Sequence, residues 1–202
     1  MKQKFKCNGQ PVALVVLAGG ESRRMKQDKA VLPVPGGAGA TLIEWVLAQT
    51  RDYFEEVIIS ASPGQRLDFL PHRIAVDPLL GQGPLMGIQT GLSASPYQTN
   101  FILACDIPDI DIDFLKRVTA AAHGYDIAVP VTAADQYEPL FAVYQKTVLP
   151  KIEALLTSGT RQIIPLFSLC KTRTIPLPNG QILPNLNTPR DYQNFLKLLY
   201  SK

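Results

Sequence analysis

"VALVVLAGGESRRMKQDKAVLP" (residues 12–33) leaves a continuous aliphatic run through two adjacent glycines and then carries four cations, Arg23, Arg24, Lys26 and Lys29, within seven residues. The unbroken run over 12–17 has the pattern of a strand buried on both faces, as strands are in a parallel sheet covered by helices. The basic segment behind it has no apolar period to bury. It is either a tight turn leading to a solvated basic helix, or a strand end built to hold an anion. Gly19 and Gly20 let the backbone approach a ligand and aim successive amides at it. Arginine neutralises phosphate by forked contacts and lysine as a point charge. The stretch is neither a Walker A loop nor a GxGxxG fingerprint.

Outward from this stretch, strand and helix patterns alternate. Residues 33–40 (PVPGGAGA) read as a flexible turn, and Thr41 caps a helix through TLIEWVLAQ. EEVIIS (55–60) is a strand, and a short strand ends at Asp77 before a glycine-rich loop and a helix that includes Ile88 to Leu92. A strand over 101–105 runs into Asp106, and a helix starting at Asp111 or Ile112 puts Leu115, Val118 and Ala122 on one face. YDIAVPV and EPLFAVY (138–144) are further strands, followed by a helix over 148–156, a second in RQIIPLFSL that Pro165 interrupts, and a candidate strand in TRTIPL. The last helix is well marked, with Thr188 as cap, Pro189 in the first turn, Asp191 three beyond the cap, and Tyr192, Phe195, Leu196 and Leu199 on its apolar face. This alternation predicts one α/β domain with a mainly parallel sheet and helices on both faces.

Composition narrows the possibilities. The 202 residues suffice for one well-buried domain, and 46% hydrophobic against 18% charged residues excludes a disordered chain. A net charge of +3 is too slight for a nucleic-acid surface, and no basic stripe with interleaved aromatics is present. Cys7, Cys105 and Cys170 are odd in number and far apart, which argues against a disulfide framework or zinc site and fits a reducing cytoplasm. Lys2, Lys4 and Lys6 before VALVVLA have the outline of a secretory signal, but Pro11 and the charges over 21–29 speak against it. No stretch approaches the ~20 apolar residues of a membrane span.

Ligands in open α/β sheets bind beyond the carboxyl ends of the strands. Three strand ends carry suggestive residues: Leu17 runs into AGGESRRMKQDK, Val76 into DPLLGQGPLMG, and Cys105 into DIPDI. Asp77 and Asp106 are either turn residues or rim carboxylates. Brought together, two carboxylates would call for a cation between them, and Mg²⁺ prefers oxygen ligands that include substrate phosphates. His72 and His123 stand alone, Ser22 lies in no GxSxG elbow, and Cys105 and Trp45 read as core.

With these residues assembled, LAGGESRRMKQDKAVLP is similar to the LAGGxSxRMGxDK signature of nucleotidyltransferases that act on the molybdenum cofactor. DPLLGQGPLMGI, ACDIPDI, EPLFAVY and LPNLNTPRDY match further segments of that family in the family's order, from Val12 to Tyr192. The chain resembles the MobA-type molybdenum cofactor guanylyltransferases. The resemblance implies a single three-layer, Rossmann-like (GT-A-type nucleotidyltransferase) domain over 1–202, with the nucleotide-binding part roughly 12–110 and the acceptor-binding part roughly 111–202. It implies transfer of GMP from GTP to molybdenum-molybdopterin, giving the guanine dinucleotide and pyrophosphate, with Mg²⁺ as cofactor. Leu17, Ala18, Gly19 and Gly20 would shape the guanine and ribose site, and Arg24 and Lys29 would hold the triphosphate. Asp77 would contact the nucleotide near its ribose and the metal region, Asp106 would bind Mg²⁺, and Asn185 and Asn187 would lie toward molybdopterin. Related cytidylyltransferases tend to read AAG where this chain has AGG, so Gly19 favours guanine by family analogy.

Two departures stand out: Lys26 replaces the family's glycine, and PVPGGAGA is longer than the expected turn. If position 26 needs a left-handed backbone, lysine would be strained by roughly 1 kcal/mol or more. The rival readings are a cytidylyltransferase of the same cofactor, a sugar or lactate nucleotidyltransferase, and a non-catalytic GTP-binding or cofactor-carrier protein. Proteins that hand over the molybdenum cofactor are further expected partners.

Overall fold

A computed structural model of the chain describes residues 2–19, 27–36, 40–178 and 183–200. Its strands are β1 (Lys6–Cys7), β2 (Gln10–Leu17), β3 (Val57–Ala61), β4 (Arg73–Val76), β5 (Thr99–Ala104), β6 (Ile127–Val131), β7 (Phe141–Gln145) and β8 (Thr172–Pro176). They form one sheet in the order β4-β3-β2-β5-β7-β6-β8, with β1 paired antiparallel to the start of β2. Along that path only β7 runs against its neighbours. The carboxyl ends of β4, β3, β2, β5, β6 and β8 therefore share one rim, and β7 begins there.

The alternation of side chains along each strand feeds two cores. Val12, Leu14 and Val16 of β2 enter one cluster with Ile59, Phe101, Leu103, Phe141 and Val143. Ala13, Val15 and Leu17 enter the other, with Ile58, Ile102, Ala142 and Tyr144. The first core is closed by α1 (Leu42–Thr50) and α3 (Ile112–Ala121), and the second by α2 (Pro84–Ala94), α4 (Leu149–Thr157) and α5 (Ile164–Leu169). A sheet buried on both faces explains why its central strands read as unbroken apolar runs. The last helix, α6 (Pro189–Tyr200), packs on a smaller cluster of Leu32, Val34, Leu42 and Leu186.

Local signals set the boundaries. Thr41 and Glu44 form a reciprocal capping box at α1, with Thr41 N donating to Glu44 Oε2 at 2.9 Å. Asp111 caps α3 by accepting from Phe114 N at 3.0 Å. The strand expected from residue 55 begins at Val57, because Glu55 and Glu56 form the approach to it. The strand expected over 138–144 is shifted to Phe141–Gln145. Pro165 does not interrupt its helix but lies in the first turn of α5, where a missing N–H costs nothing. The lysine-rich start is part of the fold: β1 pairs with β2, and buried Phe5 stacks on Tyr53 at 5.0 Å. Among the described residues no helix is long and apolar enough to cross a membrane.

Candidate active site

The rim carries a cleft of ≈ 730 Å³ lined by Leu17, Gly19, Lys29, Asp77, Gly83 and Asp106 among others. The three strand ends singled out in the sequence thus open into one space. Gly20, Ser22, Arg23, Arg24 and Lys26 lie outside the described residues, as does the middle of the 33–40 turn.

Lys29 stands on a short 3-10 turn, Lys29–Val31, which Asp28 caps by accepting from Ala30 N at 3.0 Å. Its ammonium donates to Asp106 Oδ2 at 2.7 Å and to Asn187 Oδ1 at 2.9 Å. The side chains of Lys29 and Asp106 are only 16% and 20% exposed, so solvent screens this pair less than a surface ion pair. The strand expected to end at Cys105 ends at Ala104, and Asp106 stands two residues beyond it. Its carbonyl accepts from Leu186 N at 2.9 Å, which ties the C-terminal segment to the strand end. Asn187 precedes the cap of α6, where Thr188 N and Asn187 N donate to Asp191 Oδ2 at 2.8 and 3.1 Å. The Thr188 hydroxyl, with these amides, holds the Asp191 carboxyl below its usual range.

Asp77 follows β4, its N–H donating to Ala61 O at 2.8 Å and its carboxylate accepting from Ser60 Oγ at 3.4 Å. Burial pushes this carboxyl above the ordinary carboxylate value, against the opposing effect of the Thr90 and Ser60 hydroxyls. In the strand order β4 and β5 are three spacings apart, roughly 14 Å between backbones. β3 and β2 thus stand between the strands that lead to Asp77 and Asp106. Among the described residues Asp106 is the carboxylate paired with the lysine.

The structure gives Gly19 a local reason to be glycine. A Cβ there would meet Ser62 Oγ at 2.7 Å and Ser62 N at 2.9 Å, so a backbone segment blocks any larger residue. In the second glycine loop Gly81 and Gly83 have φ of 72° and 76°, the left-handed region that side chains disfavour. Burial pushes the Cys105 thiol far above its usual range, so it is core rather than nucleophile. Trp45 is only partly core: its Nε1 donates to Pro108 O at 2.8 Å and its ring meets Phe195 edge-on.

Sequence reading missed Gln65. Its amide donates to Ala18 O at 3.0 Å and Asp28 Oδ2 at 2.8 Å while its oxygen accepts from Ser62 N at 2.8 Å, bracing the end of β2 against the lysine turn. No local motif marks it, because every bond but the one to Ser62 spans the fold. Asp28 has a readable signal, an Asp two residues before the amide it caps. His72 and His123 lie outside the cleft lining.

The described residues offer a partly shielded ammonium, carboxylates at the ends of two strands, and a glycine-lined approach, which together suit a phosphorylated ligand. The family model described as the MobA-like NTP transferase domain matches residues 14–170. A probable molybdenum cofactor guanylyltransferase of Mycobacterium avium is 34% identical over 185 residues, covering 89% of this chain and 92% of the relative. One from Carboxydothermus hydrogenoformans is 31% identical over 200 residues, covering 96% and 99%. The crystal structure of molybdopterin-guanine dinucleotide biosynthesis protein A from Archaeoglobus fulgidus superposes with a TM-score of 0.80 at 22% identity, covering 94% of this chain and 100% of that one.

Proposed function

The chain belongs to the MobA-like NTP transferase family, and from that premise we propose that it transfers GMP from GTP to the terminal phosphate of molybdenum-molybdopterin, releasing pyrophosphate. The observation that carries the reading is the Lys29–Asp106 pair, joined at 2.7 Å on the rim of the cleft. A phosphate oxygen of the acceptor attacks the α-phosphorus of GTP. The new P–O bond forms as the bond to the β-phosphate oxygen breaks, and its electron pair leaves with pyrophosphate.

The acceptor phosphate is already ionised, so no side chain need remove a proton. What the protein supplies is alignment and charge. Lys29 offsets negative charge on the triphosphate, with Arg24 as the second cation assigned by family resemblance. Gly19 brings the backbone close to the nucleoside, beside Leu17, Ala18 and Gly20, and Asp77 takes the ribose side.

The residues present fit Mg²⁺. Among the described residues no three His, Cys, Asp or Glu gather, so a cation here would draw most of its ligands from phosphates and water, as Mg²⁺ commonly does. Asp106 would hold it, and when bound it would neutralise and polarise the α-phosphate.

The test uses GTP labelled at the α- or the γ-phosphorus with molybdenum-molybdopterin and Mg²⁺. The α-label should appear on the pterin product and the γ-label in pyrophosphate. An α-label that stays in free GMP or GDP would remove the transferase reading.

A further inference from the structure

Lys29 and Asn187 are 158 positions apart in the chain, yet the ammonium and the amide oxygen lie 2.9 Å apart. The contact is built from both sides. Lys29 is fixed by its capped turn and by buried Ala30 next to it. Asn187 is fixed by its own N–H on Asp191, by the Leu186 N–H on the Asp106 carbonyl, and by buried Leu186 in the α6 cluster. An ammonium has three donors, and among the described residues two are engaged, one on a charged oxygen and one on a neutral oxygen.

The two acceptors differ in consequence. Asp106 cancels the charge of Lys29, whereas the Asn187 amide holds the ammonium and leaves its charge intact. Under the proposed function, Asp106 would be the residue that holds a phosphate-borne cation, and would then be drawn from Lys29. Lys29 then keeps one protein contact, and it is the one that leaves the cation able to meet the triphosphate.

We propose that Asn187 is a positioning residue for Lys29: its amide oxygen keeps the ammonium over the cleft once Asp106 is claimed, so the C-terminal segment sets the charge that meets the nucleotide. This rests on the GTP reading and changes the expected role of Asn187, which the family resemblance puts toward the pterin.

The experiment has two arms. In the free protein, the Lys29 ammonium resonance is followed by ¹⁵N NMR and identified by its loss in Lys29→Ala. It should shift in Asn187→Ala, where the ammonium loses its neutral partner but keeps Asp106, and stay held by two oxygens in Asn187→Asp. The α6 cap rests on Thr188 and Asp191 and remains in both variants.

In the second arm, GTP affinity with Mg²⁺ is measured by calorimetry. Asn187→Ala should weaken binding roughly ten- to a hundredfold, as losing a hydrogen bond to a charged group does. Asn187→Asp should weaken it as well, because the added carboxylate neutralises Lys29. The double variant Lys29→Ala/Asn187→Ala should bind no more weakly than Lys29→Ala alone. An unchanged Lys29 resonance and GTP affinity in Asn187→Ala, with only the pterin KM raised, would overturn the proposal. If the wild-type protein binds no GTP, the functional reading falls and the NMR arm alone decides whether Asn187 tethers Lys29.

Discussion

Strands β3 and β5 bury every residue and β2 buries its last six, whereas β8 at the far edge buries none fully and α6 has no fully buried residue. The first set, with the unburied edge strand β4 beside it, forms the parallel side of the sheet, and its ends shape the cleft. β8 closes the mixed side, where β7 reverses direction and pairing with β6 extends over few residues, while α6 packs outside the sheet on Leu32, Val34, Leu42 and Leu186. The difference teaches how the work is divided. The parallel side is a rigid wall whose glycines are dictated by packing. The C-terminal segment adds to the small apolar cluster of α6 a few polar bonds, such as Tyr192 Oη to Pro33 O and Lys29 Nζ to Asn187 Oδ1. Chemistry at the seam depends on both.

Replacing Asp106 by alanine cuts that seam and should have the largest effect. Turnover should fall roughly a thousandfold, the upper range for loss of one charge-stabilising group, with cooperative unfolding retained. Near-normal rates at saturating Mg²⁺ would remove the carboxylate from the chemistry.

Next in size is a matched pair of packing changes. A Cβ at Gly91 of α2 would lie 2.2 Å from Val15 Cγ1, so Gly91→Ala should cost about 1–3 kcal/mol despite the better helix propensity of alanine. Phe195→Ala on α6 removes an edge-on contact with Trp45 but only a half-buried ring, and should cost about 1–2 kcal/mol, well under a full core truncation. Denaturant titrations that rank the two in reverse would invert the rigid and attached sides.

The smallest effect concerns Asp77. Its carboxyl is raised in the folded protein, so the fold favours the protonated form. The stability this gives is complete below the ordinary value of 3.8 and is lost as pH rises through the folded value. Asp77→Asn should therefore melt higher than wild type at neutral pH, with the gap closing as pH falls toward 3.8, while nucleotide binding weakens. A gap that widens in acid would contradict the burial effect.

Much of this was legible in the sequence, for identifiable reasons. The run over 12–17 announced a two-faced strand because both of its faces are buried, and Thr41, Asp111 and Thr188 marked helix starts because capping is local. Asp77 and Asp106 were found because each lies within two residues of a strand's end. The reversal of β7 was not legible, since it depends on which strand lies beside it rather than on its own residues. The bracing by Gln65 and the reach of Asn187 to Lys29 were hidden for the same reason, their partners being distant in the chain. Gly19 is the instructive case: family analogy reads it as a mark of base choice, while the structure shows that Ser62 leaves no room for a Cβ.

That leaves nucleotide identity as the point on which the functional reading turns. The direct measurement is pyrophosphate release by the wild-type protein with Mg²⁺ and molybdenum-molybdopterin, offering GTP and CTP in parallel. Release with GTP alone is the expected result. Release with CTP, or with neither nucleotide from a folded sample, would contradict it.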